Sequence, residues 1–270
     1  AMCSVPSFDP NRYQETTDLA RFSAPAVVAA YEPGSVFKAI TMAAALDAGT
    51  VEPETHFVDT GSVTLNGEKI TNTDGMVYGE RAMADILRFS INTGAVFVAR
   101  TLGIDRFRAA VERFGFGTRT DVELAGEVPG NTSSLAAREE IYLATGSFGQ
   151  GITVTPLQLA VAYAALANGG KLMSPYLVEE VLAADGTRRR TEPRVVRQVV
   201  SARTATLLQG MLVSVVREGY PKRAGVAGYL IGGKTGTAQI PFSDRPGYSN
   251  ETIHTFAGFG PVDQPTFAMV

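Results

Sequence analysis

Glu32-Pro33-Gly34-Ser35-Val36-Phe37-Lys38 is the stretch on which the reading of this chain turns. Pro33-Gly34 stops the preceding segment. Ser35 then opens an apolar run through Ile40, Ala44 and Leu46 to Gly49, the pattern of a helix with a glycine stop. Within such a helix Ser35 and Lys38 share a face, one turn apart. A serine hydroxyl is a poor nucleophile at neutral pH unless a base lies within hydrogen-bond reach. Lys38 can be that base only if burial or a neighbouring cation lowers its pKa from the usual value of about 10.4. The electropositive start of the helix favours this, and it also leaves the Ser35 N–H free to meet a developing oxyanion. Taken alone, the pattern more often marks a helix-capping serine beside a solvated lysine.

Two further motifs change that balance. Ser90-Ile91-Asn92 lies between two helix-like segments, and Lys234-Thr235-Gly236-Thr237 lies in a strand-like one. The order Ser-x-x-Lys, Ser-x-Asn, Lys-Thr-Gly is that of penicillin-binding proteins and, with Asp in the middle motif, class A β-lactamases. Longer blocks carry the likeness further. Pro6-Ser7-Phe8-Asp9-Pro10-Asn11, Tyr31 to Lys38, Gly146-Ser147-Phe148-Gly149-Gln150-Gly151-Ile152-Thr153-Val154-Thr155-Pro156-Leu157-Gln158, Gly233 to Gln239 and Phe256-Ala257-Gly258-Phe259-Gly260-Pro261 resemble the transpeptidase domain of class B penicillin-binding proteins. The resemblance spans nearly the whole chain.

It implies an α/β (α+β) fold of the penicillin-binding transpeptidase type, a mainly antiparallel sheet flanked by helices with an all-helical subdomain. One domain would occupy 1–270, its sheet part about 1–50 and 220–270 and its helical part about 51–219. The resemblance also implies roles. Ser35 is the nucleophile and Lys38 its base. Ser90 relays a proton between Lys38 or Lys234 and the amine that leaves or attacks. Asn92 binds the substrate amide and helps hold Lys38. Lys234, Thr235 and Thr237 hold a terminal carboxylate. Gly236 leaves room for substrate against an edge strand, and the backbone amides of Ser35 and Thr237 form the oxyanion hole. The 146–158 block is assigned to the cleft wall, with no catalytic role for Ser147 or Gln150.

Composition sets limits. A net charge of −3 over 270 residues gives no electrostatic reason to expect nucleic acid as a partner. Cys3 is the single cysteine, so no intramolecular disulfide is available, and His56 and His254 read as structural or incidental; no metal or organic cofactor is implied. Arg188-Arg189-Arg190 beside Asp185-Gly186 reads as a solvated hairpin tip. No run approaches the ~18 apolar residues of a membrane span. The chain reads as a piece of something larger, opening like the end of a strand and stopping in the middle of one; in the family an anchoring helix and a non-catalytic domain come first.

The local pattern predicts helices over 80–89, 93–102 and 104–114, one from the Thr155-Pro156 cap to Asn168-Gly169, and one from Ser201 to about 217. Strands are predicted at the front (1–5) and over 176–182, 194–200, 228–240, 252–259 and 266–270, giving a sheet built from both chain ends. Gly219-Tyr220-Pro221-Lys222-Arg223 and Pro241-Phe242-Ser243-Asp244 depart from the family pattern and read as borders of the acceptor side of the cleft.

The function expected is that of a peptidoglycan D-alanyl-D-alanine transpeptidase, acting on stem peptides through an acyl-enzyme and blocked by β-lactams. Such a domain works on the extracytoplasmic face of the membrane, tethered, beside cell-wall synthase or divisome partners. A D,D-carboxypeptidase or serine β-lactamase is the rival enzyme, and a β-lactam sensor or non-catalytic scaffold the rival binding module. Arg138-Glu139-Glu140-Ile141-Tyr142-Leu143-Ala144 partly mimics the deacylating loop of class A β-lactamases. It lacks that loop's final Asn and the proline after its glutamate, and reads as a chance match.

Overall fold

The computed structural model describes residues 2–219, 224–242, 244–245 and 247–270. Tyr220–Arg223 and Ser243, on which two of the departures above fall, lie outside the described residues. In chain order the elements are α1 (Pro25–Val28), α2 (Lys38–Asp47), β1 (His56–Asp59), β2 (Ser62–Leu65), β3 (Glu68–Thr71), β4 (Gly79–Ala82), α3 (Met83–Arg88), α4 (Asn92–Leu102), α5 (Ile104–Arg113), α6 (Glu140–Ser147), α7 (Pro156–Ala167), β5 (Lys171–Met173), β6 (Glu180–Leu182), β7 (Arg188–Arg190), β8 (Val195–Gln198), α8 (Ala202–Glu218), β9 (Gly232–Pro241), β10 (Tyr248–Gly260) and β11 (Phe267–Met269).

α2 is the axis of the fold. Every residue from Lys38 to Leu46 is buried, and alanines at 39, 43, 44 and 45 let neighbouring helices approach closely. α4, α5 and α8 pack around it, and the core runs on through Phe107, Phe114, Leu159, Leu166, Leu208, Leu212 and Phe259. The helix starts follow their caps. Thr155 and Gln158 bond each other's backbone amides at 3.2 and 2.9 Å, with Pro156 at the first position of α7. Ser201 Oγ accepts from the amide of Thr204 at the head of α8. Caps of this kind contribute about 1 kcal/mol each.

The sheet is antiparallel, ordered β11-β10-β9, and comes entirely from the C-terminal end. Residues 2–5 form no strand, so the expected contribution from the front of the chain is corrected. The middle of the chain is helical with four antiparallel ribbons added, β1–β4, β2–β3, β5–β8 and β6–β7. One of them takes Glu80-Arg81-Ala82 out of the predicted 80–89 helix. Pairing with His56–Val58 outweighs the helix propensity of those three residues. The Arg188–Arg190 strand is a solvated hairpin as expected, with Arg188 and Arg190 paired to Glu180 and Glu179 at 3.2 and 2.9 Å. No helix among the described residues is long and apolar enough to cross a membrane.

Candidate active site

Ser35 sits in a single 3-10 turn, Gly34–Phe37, that runs straight into α2. As its second residue, Ser35 has a backbone N–H with no partner inside the turn. The turn is braced from behind. Tyr163, buried on α7, donates to the Val36 carbonyl at 2.7 Å, and the Gly34 amide donates to Gly149 at 3.0 Å. A Cβ on Gly149 would stand 2.3 Å from the Gly34 carbonyl oxygen, so only glycine fits there. Glu32, just ahead of the turn, accepts from the Gly151 amide at 2.9 Å and from the Tyr248 hydroxyl at 3.2 Å. Burial raises its carboxyl above the usual range against the pull of those bonds. The 146–158 block is therefore the rear support of the Ser35 turn.

The turn forms one end of a cleft of about 780 Å³ lined by Ser35, Thr73, Asp74, Phe89, Ser90, Thr235, Gly236, Thr237, His254, Thr255 and Phe256. All three motifs meet here. The Lys38 side chain is buried and donates to the Ser90 carbonyl at 2.5 Å, to Asn92 Oδ1 at 2.7 Å and to Ser90 Oγ at 3.2 Å. Lys234, also buried, reaches the same hydroxyl at 3.0 Å. Ser90 has φ +57°, a left-handed conformation costing about 1–3 kcal/mol that presents both its carbonyl and its hydroxyl to Lys38.

This packing sets the proton affinities. Burial, reinforced by the neighbouring charge of Lys234, pushes the Lys38 amine well below its ordinary range, with Asp74 opposing in smaller measure. Burial alone brings Lys234 down to about 7. Two amines of lowered proton affinity, joined by one hydroxyl, form a path along which a proton can move without histidine.

Asn92 is committed on both sides. Its Oδ1 holds Lys38, while its Nδ2 donates to the Thr71 carbonyl at 2.9 Å and more weakly to Thr73 Oγ1 at 3.4 Å. Behind it lies a network that the sequence does not reveal. Asn72 Oδ1 accepts from the amides of Asn92 and Thr93, and Asn72 Nδ2 donates to Asp59 Oδ2 at 2.9 Å. Asp59 is 2% exposed and also accepts from Thr93 Oγ1 at 2.5 Å and from the amides of Gly61 and Tyr78. Apart from the Gly61 amide, two residues on from Asp59, these partners are 13 to 34 residues apart in the chain, with no local spacing to betray them.

β9 is an edge strand whose free side faces the Ser35 turn. Gly236 lines the cleft with its backbone. A Cβ there would meet the Pro33 carbonyl at 2.8 Å and Val36 Cγ1 at 3.1 Å. The missing side chain thus makes room for the Ser35 turn, where the sequence reading had assigned that room to substrate. His254, which the sequence reads as structural or incidental, faces Thr237 across β9 and β10 in the cleft wall. Glu140 pairs with Arg100 at 2.7 Å on the outer surface, and neither it nor Glu139 lines the cleft. The cleft's carboxylate is Asp74, which accepts from the Tyr78 hydroxyl and, at 3.0 Å, from the Met76 amide.

A serine and two buried lysines meet around a second serine beside an edge strand. The family model for the penicillin-binding protein transpeptidase domain matches residues 1–270, and the chain belongs to that family. It is 35% identical over 99% of its length to stage V sporulation protein D of Bacillus subtilis, and 32% identical over all of it to peptidoglycan D,D-transpeptidase FtsI of Escherichia coli. It spans 42% and 44% of the length of those two relatives. Crystal structures of penicillin-binding protein 3 from Mycobacterium tuberculosis, apo and complexed with aztreonam, each match 97% of the chain with a TM-score of 0.87 and 30% identity; the chain covers 59% and 60% of them.

Proposed function

We propose that this domain is a serine D,D-transpeptidase that cross-links peptidoglycan stem peptides through an acyl-enzyme on Ser35. The observation that carries the reading is the Ser90 hydroxyl standing within hydrogen-bond distance of two buried lysines of lowered proton affinity. The stem peptide's terminal carboxylate docks on Lys234, Thr235 and Thr237. Its negative charge restores the proton to Lys234 and leaves Lys38 as the neutral amine. Ser35 Oγ attacks the carbonyl between the two D-alanines and gives its proton to Lys38. The oxyanion is held by the backbone amides of Ser35 and Thr237. That proton passes through Ser90 to the departing D-alanine nitrogen, the C–N bond breaks, and an ester remains. The acceptor amine then attacks the ester, yields a proton along the same path, and releases Ser35.

β-Lactams acylate Ser35 by the same first step. The position of Glu139 and Glu140 outside the cleft favours a long-lived acyl-enzyme over the hydrolase alternative. The reading includes a sheet part and a helical part meeting at the cleft, an extracytoplasmic location with a membrane tether elsewhere in the whole protein, and cell-wall synthase partners. The test is partitioning of the acyl-enzyme formed from a stem-peptide donor. Transfer to an amine supports transpeptidation. Release to water alone, with many turnovers of a chromogenic β-lactam, would make this a hydrolase.

A further inference from the structure

At the solvent-facing end of the cleft wall, two polar side chains that the catalytic motifs do not include, Thr252 and His254, continue the line from Thr237. Thr252 Oγ1 lies 3.1 Å from His254 Nε2, and His254 Nδ1 lies 3.3 Å from Thr237 Oγ1. Cross-strand register fixes the arrangement, since His254 stands directly opposite Thr237 in the β9–β10 pair. Both His254 and Thr237 line the cleft.

A neutral imidazole has one N–H and one bare nitrogen, so the chain can run in two directions. In one, Thr252 donates to Nε2, Nδ1–H donates to Thr237 Oγ1, and the Thr237 proton is released toward the cleft. In the other, Thr237 donates to Nδ1 and turns a lone pair toward the cleft instead. A carboxylate selects the first direction and opposes the second. A carboxamide, which offers N–H groups of its own, is compatible with both. Donation from Nδ1–H also polarises the Thr237 hydroxyl and strengthens its bond to an anion.

We propose that His254 is a specificity-determining residue that directs the Thr237 hydroxyl toward the donor's terminal carboxylate, so that the domain prefers donors ending in a free carboxylate over those ending in an amide. The proposal rests on the reading of Thr237 as part of the carboxylate site and adds a residue to it. His254 acts through Thr237 and lies outside the proton path of Ser35, Lys38, Ser90 and Lys234.

The experiment compares acylation of the protein by two stem-peptide analogues, one ending in D-Ala-D-Ala and one in D-Ala-D-alaninamide, by following D-alanine or D-alaninamide release. Active protein is counted by benzylpenicillin titration, so that partial loss of folded material cancels. His254→Phe removes both ring nitrogens, and His254→Gln keeps an N–H donor at similar reach. The acid-to-amide preference is expected to fall about tenfold in His254→Phe, the size of one charge-assisted hydrogen bond, and to recover in His254→Gln. An unchanged preference in His254→Phe, or an equal loss in both variants, would overturn the proposal. If the unaltered protein releases neither product and takes up no penicillin, the transpeptidase reading itself has failed, and the proposal with it. Release from both analogues with no preference between them would reject the His254 role alone.

Discussion

Lys234 Nζ stands 3.0 Å from Ser90 Oγ, a single hydrogen bond joining the edge strand of the sheet to the turn between α3 and α4. The same hydroxyl lies 3.2 Å from Lys38 Nζ, so the three elements that form the cleft are tied at one oxygen atom. Replacing Ser90 by Ala cuts the tie without removing either amine. Acylation by benzylpenicillin is expected to slow by 10²-fold or more, on the order of a lost general acid–base relay. A rate within threefold of the unaltered protein would place the proton path elsewhere.

The buried amines make stability depend on pH. Below about pH 7 Lys234 carries its proton in both the folded and unfolded chains, and the cost of burying that charge is constant. Between that point and about pH 10.4 only the unfolded chain remains protonated, so folded stability rises with pH. One proton contributes a slope of at most about 1.4 kcal/mol per pH unit. Urea unfolding at pH 7 and pH 9 should show stability increasing, and Lys234→Met should flatten the rise. An equal rise in the variant would mean that Lys234 keeps an ordinary proton affinity.

Asp59 holds Asn72, which in turn holds the start of α4 at Asn92 and Thr93. Asp59→Ala leaves four donors without their carboxylate in a buried site. A loss of about 3 kcal/mol in urea unfolding is expected, together with slower acylation. A loss below 1 kcal/mol would show that the network has no part in placing Asn92.

Gly236→Ala sets a methyl group 2.8 Å from the Pro33 carbonyl oxygen. The strand and the Ser35 turn must then separate by several tenths of an ångström. Displacement of that size at Ser35, the proposed nucleophile, is expected to cut acylation about 10²-fold, with a much smaller effect on unfolding. A variant that acylates normally would show the contact to be slack.

Much of this was legible in the sequence, for physical reasons that differ by element. Thr155-Pro156 and Ser201 announce helix starts because capping is a contact between residues three apart. Ser35 and Lys38 are readable for the same reason. That Ser90 and Lys234 join them came from family resemblance, since contacts 52 and 144 residues apart leave no local trace. β4 was misread as helix because Glu80-Arg81-Ala82 suits a helix until His56–Val58 pairs with it. His254 was missed because an isolated histidine has no pattern; only the register that sets it against Thr237 gives it a place.

The central claim, that Ser35 is the nucleophile of a slowly deacylating enzyme, is tested most directly by intact mass after incubation with benzylpenicillin, followed over hours and mapped by peptide digestion. The account predicts one stable adduct on the peptide containing Ser35, and none on Ser35→Ala with its fold intact. An adduct that persists in Ser35→Ala, or one that maps to any other residue, would contradict it.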